Sequence, residues 1–412
     1  MTISKNEIQK MDREDPIREF KEKFHLPKGI IYMDGNSLGA LPIATQKVIS
    51  DTVSNEWGDG LITSWLDANW VNSPERIGNK IASCIGAKDG EVTVCDSTSV
   101  NLFKILVAAL QINNSREVIL SEQGNFPTDL YIMDGIKKLF KNKIETKIVD
   151  PKKLLDALDE NVSVLLLTQV HYKTGLIKDM EKITKKAHEV GALIVWDLSH
   201  SAGSIPLDLN GCNVDFATGC GYKFLNGGPG APAFLFAASR HHTKCVPVLS
   251  GWFGHSNPFE FTDDYFPAQD VRMFLSGTPP VLGLKALEVG VDIFCSADIE
   301  KLRDKAKKLG ALFIKLLNEK CSQYEFEIIS PIEDNLRGGH VSLSHKSGYA
   351  IMQAVKEKGL IGDFRAPSVL RFGITPLYMT YENIFEAIEI ISKVMDSKEW
   401  DNPEYMVRAE VT

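Results

Sequence analysis

The chain has 412 residues, 44% of them hydrophobic and 24% charged. That is enough apolar side chain for two or three domains with their own cores, which excludes a disordered segment and a small stapled scaffold. Its 46 basic residues against 54 acidic ones leave a net charge of −8, so no basic field invites a nucleic-acid backbone, and a small molecule is the expected partner.

The polar first residues and the lack of an apolar run near the ~18 residues of a membrane span indicate a cytoplasmic chain with no membrane partner. Seven cysteines, never spaced as C-x-x-C, read as reduced thiols rather than a disulfide framework or a zinc site. From about residue 90 to residue 240, short apolar runs alternate with amphipathic stretches, the pattern of strands and helices around a largely parallel sheet. Ser97, Thr98 and Ser99 precede a predicted helix running to about Leu110. Val162 to Val170 is too continuous for a half-exposed strand and too short for most helices, so it belongs at the sheet centre. Asp179 to Val190 carries Ile183, Ala187 and Val190 on one helical face and stops at Gly191. Ala192 to Trp196 is the buried strand that follows, and a further apolar segment, from Asp215, ends at Lys223. After Pro279 and Pro280 the texture changes. Leu282 to Leu317 is predicted helical, Tyr324 to Ile329 and His340 to Ser344 strand-like, and Tyr349 to Lys358 and Tyr381 to Ser397 helical. The expected architecture is an α/β domain over residues 61–285 and a smaller α+β domain over 286–412. Residues 1–60 are expected to pack with the small domain and the active-site entrance.

In open α/β sheets ligands gather at the carboxyl ends of the strands. There the sequence places Asp197, with His200 three residues on, and Lys223, followed by the glycines 227, 228 and 230. Thr98 and Ser99 open a helix whose free N–H groups and dipole suit a phosphate dianion. A phosphate cradle, a lysine amine and a buried carboxylate together match what pyridoxal 5'-phosphate requires: an anchor, a Schiff-base partner on Lys223 and a counter-charge for a protonated pyridine nitrogen. Taken singly, the hydroxyl run is a helix cap, Asp197 a salt-bridge partner and Lys223 a solvated surface lysine. No G-x-G-x-x-G opens a helix after a strand, and no P-loop is present.

At this point the residues resemble the kynureninase family of pyridoxal-phosphate enzymes, which have the aspartate aminotransferase fold. The similarity runs from Tyr32-Met33-Asp34-Gly35-Asn36-Ser37-Leu38-Gly39 through Asn125-Phe126-Pro127-Thr128-Asp129, the Asp197 and Lys223 segments and Gly251-Trp252-Phe253-Gly254-His255. It ends at Arg371-Phe372-Gly373-Ile374-Thr375-Pro376-Leu377-Tyr378. The resemblance implies a mainly parallel seven-stranded sheet flanked by helices. It implies that Lys223 carries the cofactor, Asp197 faces the ring nitrogen and His200 helps to orient Asp197. Thr98, Ser99 and Tyr222 hold the phosphate, Phe126 stacks on the ring, Asp129 shares its turn and Thr168 sits near the ring oxygen. Trp252 and Thr278 reach the phosphate from a neighbouring subunit, so a homodimer with shared active sites is implied.

The implied reaction is hydrolysis of L-kynurenine to anthranilate and L-alanine in tryptophan catabolism. Lys223, Tyr222 and Asp197 are the implied catalytic residues, and Arg371 is to grip the substrate carboxylate through a bidentate guanidinium. Asn36 and Ser37 match a motif near that carboxylate. Trp65 and the Ser276-Gly277-Thr278 run resemble the bacterial form, which implies a preference for L-kynurenine over its 3-hydroxy derivative. The rival of the same fold type, a cysteine desulfurase or selenocysteine lyase, needs a mobile nucleophilic cysteine late in the chain. Cys295 and Cys321 are the candidates, and neither sits in a Gly/Ser-rich loop.

Overall fold

A computed structural model describes residues 3–408. The larger sheet is built from β1 (Val92–Val94), β2 (Val118–Glu122), β3 (Glu145–Val149), β4 (Val162–Thr168), β5 (Leu193–Asp197), β6 (Phe216–Gly219) and β7 (Phe234–Ala237), in the order β1-β7-β6-β5-β4-β2-β3. It is the expected seven-stranded, mainly parallel sheet, with β7 running against both its neighbours. All seven residues of β4 are buried, as a run of Val and Leu covered by helices on both faces requires. The Thr98–Ile112 helix packs across the sheet with nine buried residues. The Met180–Glu189 helix, capped by Asp179, buries the predicted Ile183 and Ala187.

The second sheet contains β8 (Glu327–Ile328), β9 (His340–Ser344), β10 (Asp363–Arg365) and β11 (Val369–Gly373), in the antiparallel order β8-β9-β11-β10. The Ile299–Lys320 and Tyr381–Ser397 helices pack against each other beside it. Phe313 and Phe372 meet there at 5.3 Å between ring centres, and full burial of such a side chain is worth about 1.5–3 kcal/mol. The single helix predicted over Leu282 to Leu317 is two, Val281–Cys295 and Ile299–Lys320. Asp298 breaks it by accepting from Glu300 N and Lys301 N as an N-cap.

The start of the chain reaches across both units. Ile31–Tyr32 pairs in parallel with Leu360–Ile361, and Gly39 N donates to Tyr222 O at 2.8 Å, beside Lys223. Among the described residues no helix is long and apolar enough to cross a membrane, and no group of His, Cys, Asp and Glu could hold a metal ion.

Candidate active site

Beyond the carboxyl ends of β4, β5 and β6 lies a cavity of about 410 Å³. Thr168 closes β4 and Asp197 closes β5, the two in register. Cys220, Tyr222 and Lys223 follow β6 onto the same rim. Facing them are Asp96 to Ser99, leading into the Thr98–Ile112 helix, and Phe126 and Asp129 at the start of the Pro127–Leu139 helix.

Lys223 is 8% exposed and, among the described residues, pairs with no carboxylate. Its Nζ lies 3.1 Å from His200 Nε2 and 5.7 Å from the centre of the Phe126 ring. Burial, reinforced by the charge of Lys223, holds the His200 ring well below its usual pKa, so it is neutral and can accept a hydrogen bond from the amine. Asp197 Oδ1 accepts from Ser199 N at 2.7 Å, and burial raises its carboxyl. Asp129 is also raised, by burial and then by the charge of Asp197. Two carboxyls in one dry corner call for a proton or a cation between them and the ligand.

The turn that presents Phe126 is fixed by Asn125. Its Oδ1 accepts from Phe126 N at 2.8 Å and from the Thr168 hydroxyl, and its Nδ2 donates to Ser121 Oγ at 3.0 Å. At the opposite end Ser97 caps the helix by accepting from Val100 N at 3.4 Å. The first N–H groups, at Thr98 and Ser99, are left to a ligand. These residues fit pyridoxal phosphate, with an anion-binding helix start, an unpaired lysine and a buried carboxyl around one cavity. Asp129 Oδ1 and His200 Nδ1, buried and unpartnered among the described residues, are polar atoms that a ring and its substituents can satisfy.

Arg371 lies in the middle of β11 and is 1% exposed. Its Nε donates to Asp363 Oδ1 at 2.7 Å, its Nη2 to Asp363 Oδ2 and, at 3.1 Å, to Ser37 Oγ, and its Nη1 to Tyr172 O at 2.6 Å. The guanidinium has five N–H donors, so one on Nη1 remains. The bidentate grip anticipated from the sequence is already taken by Asp363, for which Arg365 also competes at 2.8 Å. Tyr172 links this cluster to the cavity, since its ring packs edge-on against Phe126 at 5.1 Å.

The other expected residues fall into two groups. Ser37 joins the Arg371 cluster, donating to Asp363 Oδ2 at 2.6 Å, and Asn36 is buried against Gly373 with both side-chain polar atoms unpartnered. Trp65, Trp252, Gly277 and Thr278, like Asn36, Ser37 and Arg371, lie off the cavity lining. Trp65 packs on Phe253 at 6.1 Å, and Trp252 sits among Phe253, Phe259 and Phe261. His200 faces Lys223 instead of Asp197, which is oriented by the backbone of Ser199.

A family model described as the kynureninase C-terminal domain matches residues 302–391. The chain is 43% identical to the kynureninase of Pseudomonas fluorescens, covering 99% of this chain and 100% of that one. The chain belongs to the kynureninase family. A kynureninase from Burkholderia pseudomallei is 42% identical over the same shares. Among solved structures, the cysteine desulfurase CsdA from Escherichia coli superposes with a TM-score of 0.76 at 18% identity, covering 92% of this chain and 98% of that one. A C-DES variant with glycine covalently linked to its PLP cofactor gives 0.79 at 15%, covering 90% and 98%. These two likenesses speak to the fold. In this kynureninase-family chain no local pattern marks Tyr172, Asp363 or Arg365 as neighbours of the site, because each meets Arg371 or Ser37 from a distant or different element, while Asp34 stands in the motif that also holds Ser37. Asn125 stands in a quoted motif, and its place before a Pro-started helix was the available clue.

Proposed function

We propose that the protein is a pyridoxal-phosphate-dependent hydrolase that cleaves the Cβ–Cγ bond of L-kynurenine to give anthranilate and L-alanine, in the cytoplasm. The observation that carries the reading is the convergence of Lys223, Asp197 and the Thr98–Ser99 helix start on one cavity, in a chain of this family. The bound cofactor supplies an electron sink next to the substrate α-carbon. The Lys223 amine would hold the cofactor and would serve as the base for the substrate α-proton, with neutral His200 placed to accept a hydrogen bond from the resulting ammonium. Asp197 holds the proton on the ring nitrogen. Thr98 and Ser99 would bind the phosphate, and Phe126, Asp129 and Thr168, which line the same cavity, would hold the ring. The Tyr222 phenol, kept protonated by burial and then by Cys220, would give its proton to the β-carbon as the Cβ–Cγ bond breaks and recover one from the water whose hydroxyl adds to the γ-carbonyl and ends in the anthranilate carboxyl. Arg371 meets the α-carboxylate through its remaining N–H, steadied by Ser37 and with Asn36 behind it. Trp65 and Gly277 shape the aromatic end in favour of L-kynurenine, and Trp252 and Thr278 complete the phosphate site of a second copy.

The test mixes cofactor-loaded protein with L-kynurenine and follows anthranilate fluorescence. Product should form with the unchanged protein and not with Lys223→Ala, and Tyr222→Phe should keep the cofactor absorbance while losing about a hundredfold in kcat. Absence of anthranilate together with sulfur release from cysteine would favour the desulfurase reading. Against that reading, Cys321 is buried in the core, and Cys295 lines a different cavity with Cys84 and Cys212.

A further inference from the structure

Within the turn Asp96 to Ser99, Asp96 carries a charge that opposes a phosphate. It lines the same cavity as Thr98 and Ser99. Its backbone is held at this place by a left-handed φ of +49° and a carbonyl that accepts from Ala233 N at 2.9 Å, so the residue stays in the turn. An uncompensated carboxylate there would repel a dianion across a short, poorly screened distance.

The compensation comes from the side away from the cavity. Lys104, on the helix that the turn begins, is 2% exposed. Its Nζ lies 2.5 Å from Asp96 Oδ2 and 2.5 Å from Phe274 O. A lysine buried so completely is unusual without a partner. Asn101 supports the arrangement by donating from Nδ2 to Cys95 O at 2.9 Å. The ammonium therefore stands behind the cradle and outside the cavity lining, bound on one side to the turn and on the other to the segment leading to Gly277 and Thr278.

We propose that Lys104 is a positioning residue for cofactor affinity: by neutralising Asp96 and drawing its carboxylate back, it lets the Thr98–Ser99 helix start accept a phosphate dianion. The proposal rests on the pyridoxal-phosphate reading above and makes a signed claim, that Asp96 without Lys104 is worse than neither. A purely structural ion pair would show that order in the apo thermal midpoints, whereas the proposal places it in the affinity for a dianion.

The experiment prepares the apo forms of the full-length protein and of Lys104→Met, Asp96→Asn and the double variant. It measures the pyridoxal-phosphate dissociation constant by the growth of Schiff-base absorbance, and the thermal midpoint of each apo form. Lys104→Met should weaken the cofactor tenfold or more, and adding Asp96→Asn should return affinity to within about threefold of the unchanged protein. Unchanged affinity in Lys104→Met, or a double variant no better than Lys104→Met, overturns the proposal. Should Lys104→Met fail to fold, Asp96→Asn decides alone. Removing the carboxylate while keeping the ammonium should tighten competition by inorganic phosphate threefold or more, and no change overturns the proposal. Failure of the unchanged protein to bind pyridoxal phosphate would instead overturn the cofactor reading itself.

Discussion

The carboxyl of Asp34 is held between opposing demands. Burial and the neighbouring charge of Asp363 raise its pKa to about 7, against the pull of Ser37, Arg371 and Arg365. The unfolded chain ionises this group near 3.8. Between those two values the native state binds more protons, so the contribution of Asp34 to stability is full below about 4 and is lost as pH rises through 7. Comparison of thermal midpoints should therefore find Asp34→Asn gaining on the unchanged protein by roughly 2–4 °C between pH 5.5 and pH 8.5. A constant difference across that range would refute the assignment. Lys223, Asp197 and Thr98 were legible in the sequence because their chemistry is local, a polar group ending an apolar run or opening a helix. Asp363 was not, since its meaning lies in Ser37, 326 positions away, and in Arg371 on the next strand. The same holds for Lys104, which looks like one more helical lysine until Asp96 and Phe274 are seen beside it.

At the level of elements, the segment ending at Gly39 acts as a clamp on the lysine loop. Gly39 N donates to Tyr222 O, and a Cβ at this position would run into Lys223 O and sit 2.7 Å from Asn226 Cα. Overpacking of this kind costs about 1–3 kcal/mol. Gly39→Ala should lower the thermal midpoint by a few degrees, which calorimetry can check, and loosen cofactor retention on gel filtration. Retained cofactor with an unchanged midpoint would show that the loop can yield. The sequence marked the Gly-Asn-Ser-Leu-Gly run only by its residue types, and could not reveal that its target is the backbone next to Lys223. Buried strands and capped helices were read well: His340 to Ser344 and Tyr381 to Ser397 match the structure residue for residue. Tyr324 to Ile329 shrinks to two paired residues, because an edge strand owes its length to the neighbour it pairs with rather than to its own propensity.

On the scale of the whole molecule, one face carries apolar side chains that a lone chain leaves in water. Ile62, Leu66 and Phe261 are 76%, 78% and 74% exposed, and Trp65 joins their region to Trp252 through Phe253. Patches of this kind mark association surfaces, which is the support for self-association with Trp252 and Thr278 serving the partner's site. Light scattering should give twice the 45.8 kDa of one chain. Ile62→Asp with Phe261→Asp should yield monomers with weakened cofactor binding, and a monomeric unchanged protein would end the idea. The division at residues 60 and 285 remains a proposal about units, since the first of them is stitched into both others. That stitching has a consequence for biosynthesis. The parallel partner of Ile31–Tyr32 is Leu360–Ile361, so the segment ending at Gly39 cannot take this pairing until residue 361 has been translated. A nascent chain halted after the large sheet would already contain Lys223, yet lack the strand pairing that seats the segment holding its loop. The lysine loop is thus braced only once strands more than three hundred positions apart have met.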